Sequence, residues 1–441
     1  MASINRRKAF TEKTHEGAPA IRMSPVQALR RSVMSCLLWE KEFYEDGEDI
    51  ATRIRKLAST CNPTDVAAIA IDCRSNAHLR HVPLLLLCEL ALTSRGTSLM
   101  RETVPLVVRR ADELTELAAL WWKLHPDTHL PHNLEKGLRS AFTNFKEYHF
   151  AKYDRDGDVK LSDVLRLTHP KPADEQHAEL YKRVRTRTLA VPYTWEVELS
   201  ASTDKKFTWT KLLNDKALGG LALLRNLRNM DQAGVDQTDI QRAIHEHDFH
   251  RVLPFRFTAA ARIMPKFESW LDTALLRKIK DMPQFDGTTI VLVDVSGSMD
   301  IPLSTKSDLT HLDAAATLAS VINANSLRVF TFSEKLCEVP ARRGMAGVDA
   351  VVKSQYHGGT KLGLALETLS RVVKEPPRRL VVITDEQSHD RVEAPLDVQY
   401  RYMVNVASAR NGVGYHAWTH IDGFSENIIR FMHANEGGTS E

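Results

Sequence analysis

Hydrophobic residues follow a helical period through most of the first 280 positions. The segments VQALRRSVMSCLLWEKEF, VPLLLLCELAL and LTELAALWWKL place apolar side chains at i, i+3, i+4 and i+7. Short breaks carrying Pro, Gly or Asn separate such segments, as at 62–65, 129–133 and 168–174. Strand signals are few here, and no exact sequence repeat is visible. The pattern predicts about ten antiparallel helices with short connections, stacked in pairs as an α-solenoid.

The periodicity changes near Pro283. TTIVLVDVS is a continuous β-branched run, which is typical of a parallel strand buried on both faces. It is followed by a helix (LDAAATLASVIN), a strand (LRVFTFS), a helix (KLGLALETLSRVV) and a strand (RLVVITD). QYRYMVNVA is a further candidate strand, and ENIIRFMH is a closing helix. This alternation predicts a doubly wound α/β domain, whose ligands bind beyond the carboxyl ends of the strands.

These patterns predict an N-terminal tail at 1–19, an all-helical domain at 20–282 and an α/β domain at 283–441. A chain of 441 residues with 43% hydrophobic and 26% charged residues is long enough for such a division. The net charge is only +3, so an anionic partner would need a local basic patch.

Cysteine usage and hydropathy favour a cytoplasmic protein. Neither a signal peptide nor a membrane span is expected, because the start MASINRRKAF has no apolar core and the longest apolar run, Val82 to Leu87, is too short. No CxxC pair occurs, and four of the five cysteines lie in patterns typical of buried helix, which favours reduced thiols. The five are Cys36, Cys61, Cys73, Cys88 and Cys337.

Residues 152–172, KYDRDGDVKLSDVLRLTHPKP, resemble the start of a calcium loop, because three aspartates lie two apart from Asp154 onward. An EF-hand loop needs a glycine at its sixth position and a bidentate Glu at its twelfth. Those positions hold Val159 and Leu165, so a cation would be under-coordinated and the turn strained. The stretch is interpreted as a polar turn before a short helix.

Oxygen-bearing side chains follow two of the predicted strands. DVSGSM places Asp294, Ser296 and Ser298 after the first strand, and Asp385 ends RLVVITD. Thr360 lies between them in the loop HGGTK, directly before a helix. Mg²⁺ prefers hard oxygen ligands in octahedral geometry and keeps several waters. The set therefore predicts a divalent-cation site, with Mg²⁺ the expected ion.

This D-x-S-x-S pattern, with a distant Thr and a distant Asp, resembles the metal-ion-dependent adhesion site of von Willebrand factor A domains. All five positions match in chain order. The resemblance implies an electrophilic site that accepts a carboxylate or phosphate from a partner as its last ligand.

Motifs for common catalytic sites are absent from the sequence: no GxxxxGK[ST], HExxH or GxSxG occurs. HEHDFH (245–250) places His247 and His250 one turn apart, but no carboxylate–histidine partner at fixed spacing supports a metal site. A solvated helix end is the favoured interpretation. We expect a binding protein and no enzymatic activity.

An α/β domain of this type after an all-helical part resembles the TROVE family of Ro autoantigen-like proteins. LRRSVMSCLLWEKEFYEDG (29–47) is similar to the family's opening helix and loop, and LALLRNLRNM (221–230) to its leucine-rich helix. Residues 152–172 are similar to a family stretch that ends "LRLSH-K-P". The resemblance implies a ring of HEAT-like helical repeats closed by the A domain.

The same resemblance implies RNA binding. Y-like small RNA would lie on an outer basic surface, and single-stranded 3′ ends of misfolded noncoding RNA would thread the central hole, in RNA quality control. Residues 152–172 and the basic run YKRVRTR supply the candidate RNA-binding residues. These are Lys152, Arg155, Lys160, Arg166, His169, Lys171, Lys182, Arg183, Arg185 and Arg187.

Base-stacking aromatics are expected near these cations. Tyr153, Tyr181, Trp121 and Trp122 are candidates by neighbourhood, although Trp121 and Trp122 follow an Ala/Leu run that favours apolar packing. The three aspartates place negative charge among the basic residues, so either they weaken phosphate binding or their turn faces away from RNA.

Two alternatives to an RNA-binding monomer remain open. In one, the protein is an interaction adaptor whose A domain captures an acidic residue of a partner, such as an exoribonuclease, through Mg²⁺. In the other, the A domain belongs to a metal-chelatase accessory subunit. Such chains carry long acidic, Pro-rich linkers, and none occurs between Trp270 and Asp294, so this alternative ranks last.

Overall fold

The chain divides into two compact units. A computed structural model of the protein describes residues 12–20, 23–34, 47–250, 252–303, 309–393, 396–407, 411–414, 417–425 and 427–437. The helical unit contains Glu48–Val252 and Ile263–Trp270, and the α/β unit contains Leu253–Arg262, the described residues before Glu48 and those from Leu271 onward. Residues 12–20 and 23–34 therefore belong with the α/β unit, whereas the sequence pattern grouped residues 20–282 with the helical domain.

The helical unit is built from short helices that pack mainly on helices near them in sequence, such as α3 on α4 and α9 on α10. The first helix, α1 (Pro25–Met34), lies in the α/β unit. The helices that follow it are α2 (Gly47–Thr60), α3 (Pro63–Ser75), α4 (His81–Thr93), α5 (Leu99–Val107), α6 (Asp112–Leu124), α7 (His132–Ala141), α8 (Glu147–Tyr153), α9 (Leu161–Thr168), α10 (Glu175–Thr186), α11 (Trp195–Ala201), α12 (Lys205–Asn214), α13 (Gly220–Arg225), α14 (Leu227–Gln232) and α15 (Gln237–Glu246).

Side-chain caps set where several of these helices begin. Asn62 accepts a hydrogen bond from the amide of Thr64 (3.1 Å) just before Pro63, the first residue of α3. Asp174 likewise accepts from the amide of His177 (2.8 Å) and starts α10. None of the described helices is both long enough and apolar enough to cross a membrane.

The segment LALLRNLRNM is two helices, not the single helix that its leucine pattern predicts. α13 ends and α14 begins at Asn226, whose backbone leaves the helical region (φ −103°, ψ 6°). The Asn226 side chain donates to the carbonyl of Ala222 (2.9 Å). Such a side-chain bond to the backbone competes with the helical ladder and explains the break.

The α/β unit has an open six-stranded sheet in the order β3-β2-β1-β4-β5-β6, in which β3 alone runs antiparallel to its neighbour. Before the sheet come α16 (Phe255–Ile263) and α17 (Glu268–Lys280). The strands are β1 (Gln284–Asp294), β2 (Asn323–Phe332), β3 (Leu336–Val339), β4 (Arg379–Thr384), β5 (Tyr400–Asn405) and β6 (Thr419–Asp422). The remaining helices are α18 (His311–Val321), α19 (Gly344–Val352), α20 (Leu362–Val372) and α21 (Asn427–Asn435).

Apolar helices cover this sheet. α18 is buried along its whole length and packs on β1 and β4. Leu362, Leu366 and Leu369 of α20 share a core cluster with Ile290 and Leu292 of β1. The predicted fold class, an α-helical part followed by a doubly wound α/β domain, is confirmed.

The cysteines of the described residues lie mostly in the interior. Cys61, Cys73 and Cys88 are buried, and Cys337 is half-buried on β3. Burial raises the pKa of Cys88. Cys36 lies outside the described residues.

Candidate metal centre and candidate nucleic-acid interface

The five predicted metal ligands lie at the carboxyl ends of two adjacent parallel strands. β1 ends at the fully buried Asp294, and Ser296 and Ser298 follow in the next turn. Asp385 comes directly after β4, which pairs with β1. Thr360 lies one residue before Lys361, the residue that caps α20. Strand polarity therefore brings to one sheet edge residues that are far apart in sequence.

Hydrogen bonds join the side chains of this site. The Ser298 hydroxyl donates to a carboxylate oxygen of Asp385 (2.5 Å), and the Ser296 and Ser298 hydroxyls lie 3.2 Å apart. Asp294 accepts from the amide of Ser296 (2.9 Å) and from the Thr384 hydroxyl (2.6 Å). The side-chain oxygens of Ser296, Ser298 and Asp385 are thus in contact, and the backbone amide of Ser296 connects this group to Asp294.

Backbone hydrogen bonds connect the loop that contains Thr360 to the same edge of the sheet. The amide of Gly297, between the two serines, donates to the carbonyl of Gly358 (2.9 Å). The amide of His389 donates to the carbonyl of Thr360 (2.8 Å). Thr360 is 3% exposed. The structure therefore places the loop of the fifth predicted ligand beside the loops of the other four.

The electrostatics of this edge suit a divalent cation. Burial, and next the charge of the neighbouring Asp385, raise the pKa of Asp294 to about 7. A cation between the two carboxylates would relieve both effects, because it replaces lost hydration and screens their repulsion. Two carboxylates with hydroxyl oxygens are hard ligands of the type that Mg²⁺ prefers, so the residues present fit the ion.

Four of the predicted RNA-binding residues converge on one groove between α9 and α10. Arg166, His169, Lys182 and Arg185 line a cavity of about 350 Å³ together with Pro170, Pro172 and Ala178 and the buried Leu165 and Tyr181. All four are exposed, and Lys171 is exposed in the connection between the two helices. We call this the basic groove and define it by Arg166, His169, Lys182 and Arg185.

Backbone geometry directs His169 to the mouth of this groove. His169 adopts a left-handed conformation (φ 47°) and ends α9, where its amide donates to the carbonyl of Leu165 (3.0 Å). A non-glycine residue in this conformation stores strain that the surrounding structure must support. Pro170 follows and cannot continue the helix.

Ion pairs engage several of the other predicted cations. Arg187 contacts Asp156 (2.7 Å) and Asp154 (3.7 Å), and Lys160 contacts Asp156 (3.3 Å). Arg183 pairs with Glu147. The aspartates at 154 and 156 are thus counter-ions for Arg187 and Lys160, and the arginine hydrogen bond is the main cause that lowers the pKa of Asp156. Lys152 lies over the ring of Tyr153, and Arg155 is exposed.

The aromatic candidates are mostly packed. Trp121 is 3% exposed and lies against His125, with ring centroids 4.2 Å apart. Tyr153 lies beneath the guanidinium of Arg110 at 4.7 Å. Tyr181 lies in the lining of the basic groove but is itself buried. Tyr148 on α8 is 49% exposed.

HEHDFH adds no third site. His247 packs against Phe249, with ring centroids 4.8 Å apart, and His250 pairs with Asp248 (2.7 Å). Across the described ranges, no group of three or more His, Cys, Asp or Glu side chains is arranged to hold a metal ion.

Sequence reasoning missed Thr384, Glu386 and His389, which surround Asp385. The signal for Thr384 was present, because a hydroxyl residue at the end of β4 must lie beside the end of β1. No local signal marks Glu386, since its partner Arg31 lies 355 positions away.

Comparisons with known proteins agree with this architecture. The TROVE domain family model matches residues 182–310, and the von Willebrand factor type A domain model matches residues 289–387. The chain therefore contains one segment similar to the TROVE domain and one similar to the von Willebrand factor type A domain. Of the three segments that carried the sequence resemblance, 221–230 lies within the matched range, and 29–47 and 152–172 precede it.

Two known sequences and one solved structure are also similar to this chain. The chain is 27% identical over 215 residues to telomerase protein component 1 of Mus musculus, covering 46% of this chain and 8% of that protein. It is 34% identical over 89 residues to the Rattus norvegicus protein, covering 19% and 3%. The chain thus spans under a tenth of these relatives. The RO (RSR) protein of Deinococcus radiodurans shares the fold, with a TM-score of 0.59 at 16% identity over 94% of this chain and 100% of that one.

Proposed function

We propose that this protein is a Ro-like RNA-binding protein that acts without a catalytic step of its own. The observation that carries the proposal is the basic groove, in which the cations Arg166, Lys182 and Arg185 and the imidazole of His169 line one cavity. The match of residues 182–310 to the TROVE domain model and the fold shared with the RO protein support it. In this proposal the protein is a cytoplasmic monomer.

The groove suits a flexible single strand. Arg166 and Arg185 have no side-chain partner among the described residues, so their guanidinium groups are available to phosphates. A guanidinium can bind a phosphate through two parallel hydrogen bonds. Single strands combine such backbone contacts with stacking on aromatic rings, for which the exposed Tyr148 is available.

The finer proposal follows the family resemblance. Single-stranded 3′ ends of misfolded noncoding RNA would thread a central hole, and Y-like small RNA would lie on the outer basic surface. Both ligands serve RNA quality control. A hole excludes a duplex and admits a single strand, so the protein would select RNAs whose 3′ end is unpaired.

The test compares a hairpin RNA that carries a single-stranded 3′ extension with the same hairpin cut blunt, in mobility-shift titrations. We expect the extended RNA to bind at least about tenfold more tightly. The variant Arg166→Glu/Arg185→Glu should weaken that binding strongly, since each change places a negative charge beside phosphate.

The matched control is Arg95→Glu/Arg101→Glu, which makes the same charge change at two exposed positions of the helical unit outside the groove. Equal affinity for the two RNAs would refute the 3′-end proposal. An equal loss in the control variant would show that overall charge, and not the groove, holds the RNA.

We also propose that Asp294, Ser296, Ser298, Thr360 and Asp385 hold Mg²⁺, directly or through water. The bound ion would supply a Lewis-acidic position for a carboxylate or phosphate oxygen of a partner. The loop that ends in Thr360 carries Tyr356, which is 84% exposed. An exposed aromatic side chain beside a metal site favours a second role, as an adaptor that captures an acidic residue of a protein such as an exoribonuclease.

The adaptor role is tested by biolayer interferometry with an exoribonuclease as the probe. Binding should require Mg²⁺, be lost in EDTA and with Asp294→Ala, and weaken with Tyr356→Ala. RNA binding should survive all three conditions. Exoribonuclease binding that persists in EDTA would exclude capture through the metal.

A further inference from the structure

Residues 12–20 and 23–34, at the opposite end of the chain from the predicted metal ligands, contact the loop that carries one of those ligands. We call these residues the N-terminal clasp and residues Asp385–His389 the metal loop. Both belong to the α/β unit. The clasp contacts the metal loop in two places, first through the turn at 12–20 and second through α1.

The turn makes three polar contacts with consecutive residues of the metal loop. The amide of His15 donates to the side chain of Gln387 (2.7 Å), and the Thr14 hydroxyl donates to the carbonyl of Ser388 (2.9 Å). The Glu16 carboxylate pairs with His389 (2.9 Å). These contacts fix residues that follow Asp385 directly.

Two of those metal-loop residues also touch the predicted ligands. The amide of Gln387 donates to a carboxylate oxygen of Asp385 (3.1 Å). With its Nε2 proton directed at Glu16, His389 accepts at Nδ1 from the amide of Thr360 (3.1 Å). The clasp therefore contacts Gln387 and His389, which in turn hydrogen-bond to Asp385 and to Thr360.

The second contact is the fully buried Arg31 of α1. Its guanidinium donates to Glu386 (2.7 Å) and to Asp422 (3.3 Å), and both side chains of the Arg31–Glu386 pair are 0% exposed. The other Glu386 oxygen accepts from the amides of Val413 (2.9 Å) and Gly414 (3.2 Å). Both carboxylate oxygens of Glu386 therefore accept hydrogen bonds.

Glu386 needs this support because its backbone is left-handed (φ 59°), and it is adjacent to Asp385. Such a conformation in a non-glycine residue persists only where the surroundings determine it. It turns the chain so that Asp385 faces Asp294 across the sheet edge while Glu386 points to Arg31.

Two glycines make room for the clasp. A Cβ at Gly412 would collide with the Arg31 guanidinium and the Glu386 carboxylate. Gly423 has φ +118°, and a Cβ there would lie 3.2 Å from the carbonyl of Met34, the last residue of α1. The α/β unit is therefore shaped to accept α1 at this place.

We propose that the N-terminal clasp positions the metal loop, so that divalent-cation binding and docking of residues 12–34 are coupled. The inference rests on the proposed metal site. Arg31, Thr14 and Glu16 are positioning residues in this scheme, since they act through Glu386, Ser388 and His389. Linkage requires reciprocity: a docked clasp strengthens cation binding, and a bound cation holds the clasp.

The test measures Mn²⁺ affinity of the full chain by electron paramagnetic resonance titration, with Ser298→Ala as the variant that lacks a ligand. Thr14→Ala/Glu16→Gln removes the contacts of the buried Thr14 and the half-exposed Glu16, and Arg31→Gln removes the contact of the fully buried Arg31. We expect the dissociation constant to rise roughly tenfold in each, as for other residues that orient metal ligands. Thr368→Ala/Glu367→Gln, the same changes on α20 away from the clasp, is the matched control and should leave the dissociation constant unchanged.

Hydrogen exchange of residues 12–34 supplies the reciprocal readout, which loss of folding alone would not produce. Mg²⁺ should slow exchange there in the wild-type protein and not in Ser298→Ala. If the wild-type protein binds Mn²⁺ and the clasp variants bind it equally well, the clasp proposal is overturned while the metal site stands. If the wild-type protein binds no Mn²⁺, the metal site itself is overturned, and the coupling with it.

Discussion

Asp294 and Asp385 carry the strongest electrostatic conflict at the residue scale. Both are buried at the carboxyl ends of adjacent strands, and the charge of Asp385 is one of the causes that raise the pKa of Asp294. Local hydrogen bonds from Ser296, Ser298 and Thr384 offset part of this cost. A bound cation would offset the remaining cost of burying two neighbouring carboxylates. We therefore expect the protein to be less stable without metal.

The substitution Asp294→Asn separates repulsion from metal binding. In EDTA the variant should be about 1 kcal/mol more stable than wild type, because it removes one of two like charges and keeps the acceptor for Ser296. Adding Mg²⁺ should raise the thermal midpoint of wild type and leave the variant unchanged. Scanning calorimetry with and without Mg²⁺ measures both effects. A Mg²⁺-induced shift of equal size in the variant would contradict the assignment.

Asp422 gives a pH-dependent prediction for the buried cluster around Arg31. Burial alone would raise the pKa of Asp422, but His420 and next Arg31 outweigh burial and lower it. The groups that face the cluster are Arg31, Glu386 and His420. A lowered carboxyl pKa stabilises the folded state above the ordinary value of about 3.9 and ceases to do so as the pH falls through the folded pKa.

The wild-type protein should therefore be more stable than Asp422→Asn at pH 7, and this difference should be smaller at pH 3, below the ordinary carboxyl pKa of about 3.9. Urea unfolding of both proteins at the two pH values gives the difference in free energy directly. A difference of the same size at both pH values would mean that folding does not lower the pKa of Asp422.

At the scale of elements, Arg379, the first residue of β4, forms an ion pair at the end of α21. Arg379 is 1% exposed, donates to Glu436 (2.5 Å) and to Thr289 (2.7 Å), and lies 4.2 Å over the ring of Phe285. Glu436 follows the last residue of α21, so the pair joins this helix to the amino ends of β1 and β4.

Glu436→Ala should cost about 3 kcal/mol of unfolding free energy, because it leaves the Arg379 charge buried without its carboxylate. Glu375→Ala, at an exposed position between α20 and β4, should change stability by less than about 0.5 kcal/mol. Urea titrations followed by circular dichroism compare the two. A cost as small in Glu436→Ala as in the control would mean that α21 is held by apolar packing alone.

The elements that sequence reasoning found are those with a strong internal pattern. β1, β2, β4 and β5 were predicted because TTIVLVDVS, LRVFTFS, RLVVITD and QYRYMVNVA are β-branched and apolar. β3 and β6 were missed because they are short edge strands with half-exposed residues, which carry little periodicity. The helix α19, GMAGVDAVV, was missed because its glycines are poor helix formers.

The residues of the candidate sites likewise include some that the sequence predicts and some that it does not. Four of the five metal residues were predictable because they follow β1 or β4, and the order of parallel strands fixes which ends meet. The groove residues were predicted as a set of ten cations, but the sequence does not tell which of them face Asp154, Asp156 and Glu147 and which face the groove. The clasp was not predictable, since Thr14 and Ser388 lie 374 positions apart.

At the scale of the whole molecule, the net charge is only +3, so RNA binding must depend on a local cluster of basic residues. Acidic partners engage many of the cations, as in the pairs Arg187–Asp156 and Arg183–Glu147. Specific binding then depends on the few cations that the fold leaves available at one place. The basic groove is such a place, with Arg166 and Arg185 on adjacent helices.

The most direct test of this account is the salt dependence of single-stranded RNA binding by wild type and by Arg166→Gln/Arg185→Gln. Each phosphate contact contributes about 0.7 to the slope of log affinity against log salt for a single strand. Fluorescence anisotropy from low to physiological salt should give a slope that is smaller by about 1.4 in the double variant. An unchanged slope would contradict the claim that the basic groove holds the RNA backbone.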